Sequence, residues 1–158
     1  MSRPGRPSAS GDSLPSPGGD SPLLLDTHVW IWAADGDESR LRPNVVERIE
    51  HAARAGRILV HPMSVWEVGT LVRKGRLGLA MAPEEWVQRA LSLPGVFLLD
   101  LSPESALEGA LLPSEELTDP VDRMLVAAAR LEQACLVTAD RRILTFAEAG
   151  RARVLYAG

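Results

Sequence analysis

Short apolar runs alternate with stretches of helical periodicity along most of this chain. Leu23-Leu24-Leu25, Arg57-Ile58-Leu59-Val60, Val96-Phe97-Leu98-Leu99, Leu136-Val137-Thr138 and Val154-Leu155-Tyr156 carry no regular polar alternation. Runs of that kind are the mark of strands buried on both faces. Between them the spacing predicts helices. Asn44 to Ala55 places Val45, Val46, Ile49 and Ala53 at a 3.6-residue period, with Gly56 as the residue that closes it. Thr27–Ala34, Ser64–Lys74, Pro83–Leu93, Pro103–Leu111 and Ile143–Ala149 are further helical segments, and Asp119–Ala134 is the strongest, with Met124, Leu125, Ala128 and Leu131 on one stripe. Strands alternating with helices predict an α/β fold, a three-layer α/β/α arrangement with a short central parallel sheet.

Residues 1–21 break this pattern. They hold six Ser, four Pro and four Gly with no aromatic or β-branched residue, so they read as a disordered tail, and residues 22–158 as one folded domain. The length of 158 residues and 46% hydrophobic content suffice for a proper core. A net charge of −4 excludes a basic particle that holds nucleic acid by bulk electrostatics. The single Cys135 excludes an internal disulfide and fits a reducing compartment, the cytoplasm. No run approaches the ~18 apolar residues of a membrane span, and the tail lacks the apolar core of a secretory signal.

The chemistry lies in the acids. Asp26 ends the first strand, Glu67 falls in the first turn of the helix after the second, and Asp140 stands two residues past Thr138. Asp119 and Asp122 open the long helix. Ligands of open α/β sheets bind at the carboxyl ends of the strands, which is where these residues gather. Clustered carboxylates repel one another unless a cation neutralises them, and oxygen-only ligation selects Mg²⁺ or Mn²⁺. Each acid also has a plain structural role: Ser64-Val65-Trp66-Glu67 matches a capping box, Asp119-Pro120-Val121-Asp122 an N-cap with proline at N1, and Asp26 and Asp140 can cap the helices that follow them. Spacing alone leaves both readings open for each residue.

Other motifs are missing or weak. No glycine-rich dinucleotide or P-loop signature and no nucleophile elbow occurs, and one cysteine without a His-x-x-x-His disfavours zinc. His28, His51 and His61 read mainly as packing or surface residues. The tryptophans Trp30, Trp32, Trp66 and Trp86 read as core or partner contacts, with Trp30, Trp32 and Trp86 marking apolar helices where a partner segment can lie.

Leu24-Leu25-Asp26-Thr27-His28-Val29-Trp30, Ser64-Val65-Trp66-Glu67, the run Asp119-Pro120-Val121-Asp122-Arg123-Met124-Leu125 and Leu136-Val137-Thr138-Ala139-Asp140 together resemble, in order and spacing, the signature blocks of PIN-domain ribonucleases. The resemblance is greatest to the VapC-type toxins of bacterial type II toxin–antitoxin systems and covers about residues 22–157. It implies an endoribonuclease that uses Mg²⁺ or Mn²⁺, forms a homodimer and is neutralised by a cognate antitoxin. Carried over, Asp26, Glu67, Asp122 and Asp140 are the acidic quartet that holds metal and acts in catalysis. Thr27, Asp119 and Thr138 would support them from outside, and Arg123, Arg141 and Arg142 are candidate contacts to flanking phosphates. The expected products carry a 5′ phosphate and a 3′ hydroxyl. Leu117-Thr118, Val121 and Ala128 depart from common residues of the family without touching the quartet.

Two rival readings remain at this point. One is a non-catalytic module that binds RNA or a partner through the same rim. The other is a haloacid-dehalogenase-type phosphohydrolase, which wants a second Asp two residues after Asp26, where this chain has His28.

Overall fold

A computed structural model describes residues 20–113 and 115–158. The chain runs β1 (Leu23–Leu25), α1 (Thr27–Asp35), α2 (Pro43–Arg54), β2 (Ile58–Val60), α3 (Pro62–Arg73), α4 (Pro83–Leu91), β3 (Val96–Leu98), α5 (Pro103–Leu111), α6 (Pro120–Leu131), β4 (Cys135–Thr138), α7 (Arg141–Ala147) and β5 (Val154–Tyr156), with a 3-10 turn at Glu38–Arg40. All five strands are parallel in the order β3-β2-β1-β4-β5. This is the α/β architecture that the alternation predicts.

Side chains along a strand point to opposite faces in turn, and the core divides accordingly. Leu23, Leu25, Ile58, Val60, Cys135 and Val137 pack on one face against Val29 and Trp30 of α1, Val45 of α2, Val68 of α3 and Trp86 of α4. Leu24 and Leu136 point the other way, onto Val121, Leu125, Val126 and Ala129 of α6 and Ile143 and Phe146 of α7. With both faces covered, polar alternation has no place in the strands, and the sequence shows none. Leu125 is fully buried, so truncating it to Ala would cost about 2–5 kcal/mol.

Five helices, α2 to α6, begin with proline at N1. Proline there supplies a helical φ and lacks only an N–H that would have no partner anyway. Its effect shifts two expected boundaries. α2 starts at Pro43 rather than Asn44, and α3 starts at Pro62 rather than Ser64. The cap of α3 is His61, whose Nδ1 accepts from the Met63 N–H at 3.0 Å. The capping box expected at Ser64 and Glu67 is therefore not formed, and Glu67 stands in the second turn of α3, not the first.

Gly95 turns the chain into β3 with φ +80°, and a Cβ there would lie 1.9 Å from the Ala53 carbonyl oxygen. No other residue fits. Residues 1–19, most of the expected tail, lie outside the described residues. Asp20 and Ser21 are described and carry definite contacts: Arg57 donates to the Asp20 carbonyl at 2.6 Å, and Arg153 to the Ser21 hydroxyl at 3.2 Å. Among the described residues no helix is long and apolar enough to cross a membrane.

Candidate active site

The sheet places β1 between β2 and β4, so connections leave it in opposite directions on its two sides. That switch point opens a crevice at the carboxyl ends of the strands. A cavity of about 310 Å³ lies there, lined by Asp26, Glu67, Asp119, Asp122 and Asp140, together with His28, Trp32 and Arg142. The four acids of the expected quartet thus come from four different segments and share one wall.

Asp26 follows β1 and is buried. Its Oδ1 accepts from the Thr27 N–H at 2.7 Å, which caps α1, and its Oδ2 accepts from the Thr138 hydroxyl at 2.6 Å. Thr138 Oγ1 in turn accepts from the Asp140 N–H at 3.0 Å. One hydroxyl therefore ties the ends of β1 and β4 together and fixes both acids. Burial raises the Asp26 pKa above its ordinary value, against the pull of the two hydrogen bonds.

Asp140 caps α7 through the Arg142 N–H at 2.8 Å and pairs with the Arg142 guanidinium, Nη2 to Oδ2 at 3.1 Å. Burial works to raise its pKa, but the contacts to Arg142 together hold it below the usual range. Asp119 caps α6, accepting from Val121 N at 2.8 Å and Asp122 N at 3.2 Å. The capping roles of Asp26, Asp119 and Asp140 are thus real and coexist with their place in the cavity.

Glu67 and Asp122 differ from these. Neither caps a helix. Burial, then the charges of Asp26 and Asp119, push Glu67 up to about 7. Burial, then the charges of Asp119, Asp26 and Asp140, push Asp122 up to about 8. Both carboxyls therefore keep their protons to higher pH than ordinary acids do, since packing them ionised beside their neighbours is costly. Among the described residues no three His, Cys, Asp or Glu side chains close on one point as a finished coordination shell. The acids line the wall without converging. The donor set is nonetheless all oxygen and overcharged, which suits a hard divalent ion.

Thr27 touches a site carboxylate: its side-chain hydrogen bond to Glu67 pulls the Glu67 pKa down, against burial and the neighbouring charges. The same hydroxyl is hydrogen-bonded to Ser64 Oγ at 3.1 Å, both residues being fully buried. This bond ties α1 to α3 one turn before Glu67. Sequence reasoning assigned Ser64 to a cap and missed this cross-helix role. Nothing in the local sequence signals it, because the partner lies on another helix.

Arg123 overturns an expectation. Its guanidinium donates to the carbonyls of Gly109 at 2.9 Å, Leu117 at 2.7 Å and Ala110 at 2.8 Å, and also to that of Leu112. Four carbonyls at the end of α5 and in the loop before α6 occupy it, so it is not a phosphate contact. Arg142 is engaged by Asp140, whereas Arg141 is exposed. The tryptophans also divide. Trp30 and Trp86 are buried and pack edge to face at 5.0 Å, with Trp86 Nε1 donating to Asp35 at 2.7 Å. Both are core residues, and Trp86 also borders a cavity of about 480 Å³ with Ala34, Met81 and Leu93. Trp32 lines the cavity, and Trp66 is 59% exposed.

Sheet order, crevice and acid wall define a class, and comparison with known proteins agrees: residues 23–151 match the PIN domain, and the chain belongs to that family. Ribonuclease VapC22 of Mycobacterium tuberculosis is 32% identical over 121 residues, covering 77% of this chain and 88% of that protein. Among solved structures, a chain of VapBC2 from Rickettsia felis bound to a DNA fragment from its promoter aligns with a TM-score of 0.62. It covers 86% of this chain and 98% of that one at 17% identity. A chain of DNA-bound VapBC from Salmonella typhimurium aligns with a TM-score of 0.60 at 18% identity, with the same coverage. At such identity the likeness is one of fold.

Proposed function

We propose that the chain is a divalent-metal-dependent endoribonuclease, a toxin of the VapC type held in check by a cognate antitoxin. The observation that carries this reading is the wall of four carboxylates from separate segments around one cavity, two of them pushed up to about 7 and about 8 by burial and neighbouring charge. Similarity to a curated ribonuclease over most of both chains supports it, and the fold is shared with chains of toxin–antitoxin complexes.

In this reading Asp26, Asp122, Glu67 and Asp140 hold Mg²⁺ or Mn²⁺. The ion would supply a strong water nucleophile at neutral pH and offset charge on the phosphate in an in-line displacement. The protein's own part is positioning. Thr138 fixes the Asp26 carboxylate and the Asp140 backbone at once. Asp119 holds the first turn of α6, and with it Asp122. Glu67 and Asp122, whose carboxyls burial and neighbouring charge push up, would have to be ionised to hold the ion, and they are the groups of this chain suited to accept a proton from water. A homodimer belongs to the same proposal, and sedimentation of the purified protein checks it.

The test is cleavage of end-labelled total RNA with Mg²⁺, with Mn²⁺ and with chelator, beside an Asp26→Asn/Asp122→Asn variant. Metal-dependent cutting that the variant loses is the expected result. If neither ion supports cutting while the protein still binds RNA, the chain is a binding module and the capping roles of its acids are the whole of their function.

A further inference from the structure

A second arrangement adjoins the acid cavity and is not used by the four carboxylates. Tyr156 ends β5, and the parallel register pairs it with Thr138, the residue that fixes Asp26. One strand spacing, about 4.8 Å, separates the two backbones. Two guanidinium groups sit against the Tyr156 ring. That of Arg42, the residue before α2, lies 4.5 Å from the ring centroid, and that of Arg141, the neighbour of Asp140, lies 5.5 Å away. Both arginines are exposed and the tyrosine is half-buried. Arg42 is further fixed by its backbone N–H, which donates to the Ala157 carbonyl at 3.0 Å.

What these arginines lack is an acid. Arg40, Arg57, Arg130, Arg142 and Arg151 each pair with a carboxylate. Among the described residues none lies within 4.0 Å of the Arg42 or Arg141 guanidinium. Contact with the ring restricts both side chains, so less freedom is lost when an anion binds. On a chain of net charge −4, beside a cavity whose acids repel a polyanion, this pair is a local reversal of sign.

We propose that Arg42, Tyr156 and Arg141 form a phosphate clamp for single-stranded RNA, holding the strand next to the cavity so that the adjoining phosphate enters among the carboxylates. This rests on the ribonuclease reading and adds two residues, Arg42 and Tyr156, from parts of the chain with no acidic motif.

The test measures binding of a short, fluorescently labelled random-sequence RNA to an Asp122→Asn parent over a salt series. The same parent carrying Arg42→Gln and Arg141→Gln, Tyr156→Leu or Tyr156→Phe is measured alongside. For the double arginine change the clamp predicts weaker binding and a log K against log salt slope shallower by about 1.4, or about 0.7 for each phosphate that is no longer neutralised. Tyr156→Phe keeps the ring and should bind as the parent does, whereas Tyr156→Leu should bind more weakly. In the otherwise native chain the double change should raise KM for cleavage and leave kcat near its starting value. An unchanged slope and affinity in the double variant overturns the clamp alone, provided the native chain cuts RNA. A native chain that neither binds nor cuts RNA overturns the ribonuclease reading with it. Loss of binding to an acidic peptide such as polyglutamate, with RNA binding intact, would assign the pair to a protein partner and likewise overturn the clamp.

Discussion

Asp26 and Asp140 stand at strand ends and are held by hydrogen bonds on both sides, whereas Glu67 and Asp122 rise from helices and cap nothing. The first pair is built into the fold. Its oxygens satisfy helix N-termini, a threonine hydroxyl and an arginine, so removing either acid takes local structure with it. The second pair caps no helix and has one such bond, from Thr27 to Glu67, and its carboxyls are pushed up to about 7 and about 8 by burial and neighbouring charge. Acids of that kind weaken the fold that carries them, the pattern expected where a site is kept for function. On the proposed ribonuclease reading, one half of the wall serves structure and chemistry together, and the other half serves chemistry at a cost in stability.

The strongest way to break this contrast is to neutralise the helix pair. Asp122→Asn and Glu67→Gln should each abolish metal-dependent RNA cleavage to an extent beyond the roughly 10–100-fold typical of outer supporting groups. Both should at the same time raise the melting temperature of the metal-free protein at pH 8. A variant that loses stability as well as activity would show that its carboxyl supports the fold after all.

Next in size is the pH dependence of the metal-free native chain. Asp26, Glu67 and Asp122 all have folded pKa values raised above those of the unfolded chain. Between pH of about 4 and 8 these three groups bind more protons in the folded state, so their contribution to stability falls as pH rises through that window; the lowered pKa of buried His61 acts the other way on a single group. Thermal melts should show the protein more stable near pH 5 than near pH 8, with Mn²⁺ reducing the difference. Melts that are flat without metal would contradict the proposed crowding of charge.

Smaller effects probe the strand-end half. Thr138→Val leaves a buried Asp26 oxygen without its donor, a loss of about 1–3 kcal/mol, and should lower cleavage by about 10–100-fold, with Thr138→Ser restoring most of both. Asp119→Ala removes the cap of α6 and should cost about 1 kcal/mol in chemical denaturation. The smallest effect lies away from the site: Gln133 has φ +52° just past α6, and Gln133→Gly should stabilise by about 0.5–1 kcal/mol by relieving the left-handed conformation.

Strands and acids were legible in the sequence for the same reason. Strands buried on both faces read as unbroken apolar runs, and polar residues placed just beyond them mark the sheet's carboxyl edge. The order of the strands was not legible, because no local pattern states which strand lies beside which. The start of α3 was misread because Ser64 and Glu67 imitate a capping box, while the actual cap is a histidine before a proline. The role of Arg123 was hidden in the same way. Its acceptors are carbonyls, which carry no side-chain signature, and Arg42 meets Tyr156 only because α2 begins beside the end of β5.

The bond from Thr138 to Asp26 spans 112 residues of chain, which sets an order in time. As the protein is made, Asp26, Glu67 and Asp122 all leave the ribosome before β4 can take its place beside β1. Until then β1 has an open edge, the buried hydroxyl that fixes Asp26 is absent, and the mutually repelling acids have no sheet to gather them. Because long-range parallel pairing is a late and slow event in folding, the site comes into being only when nearly the whole chain has been synthesised. A truncation between Asp122 and β4 therefore removes the site's geometry even though three of its four acids are already present.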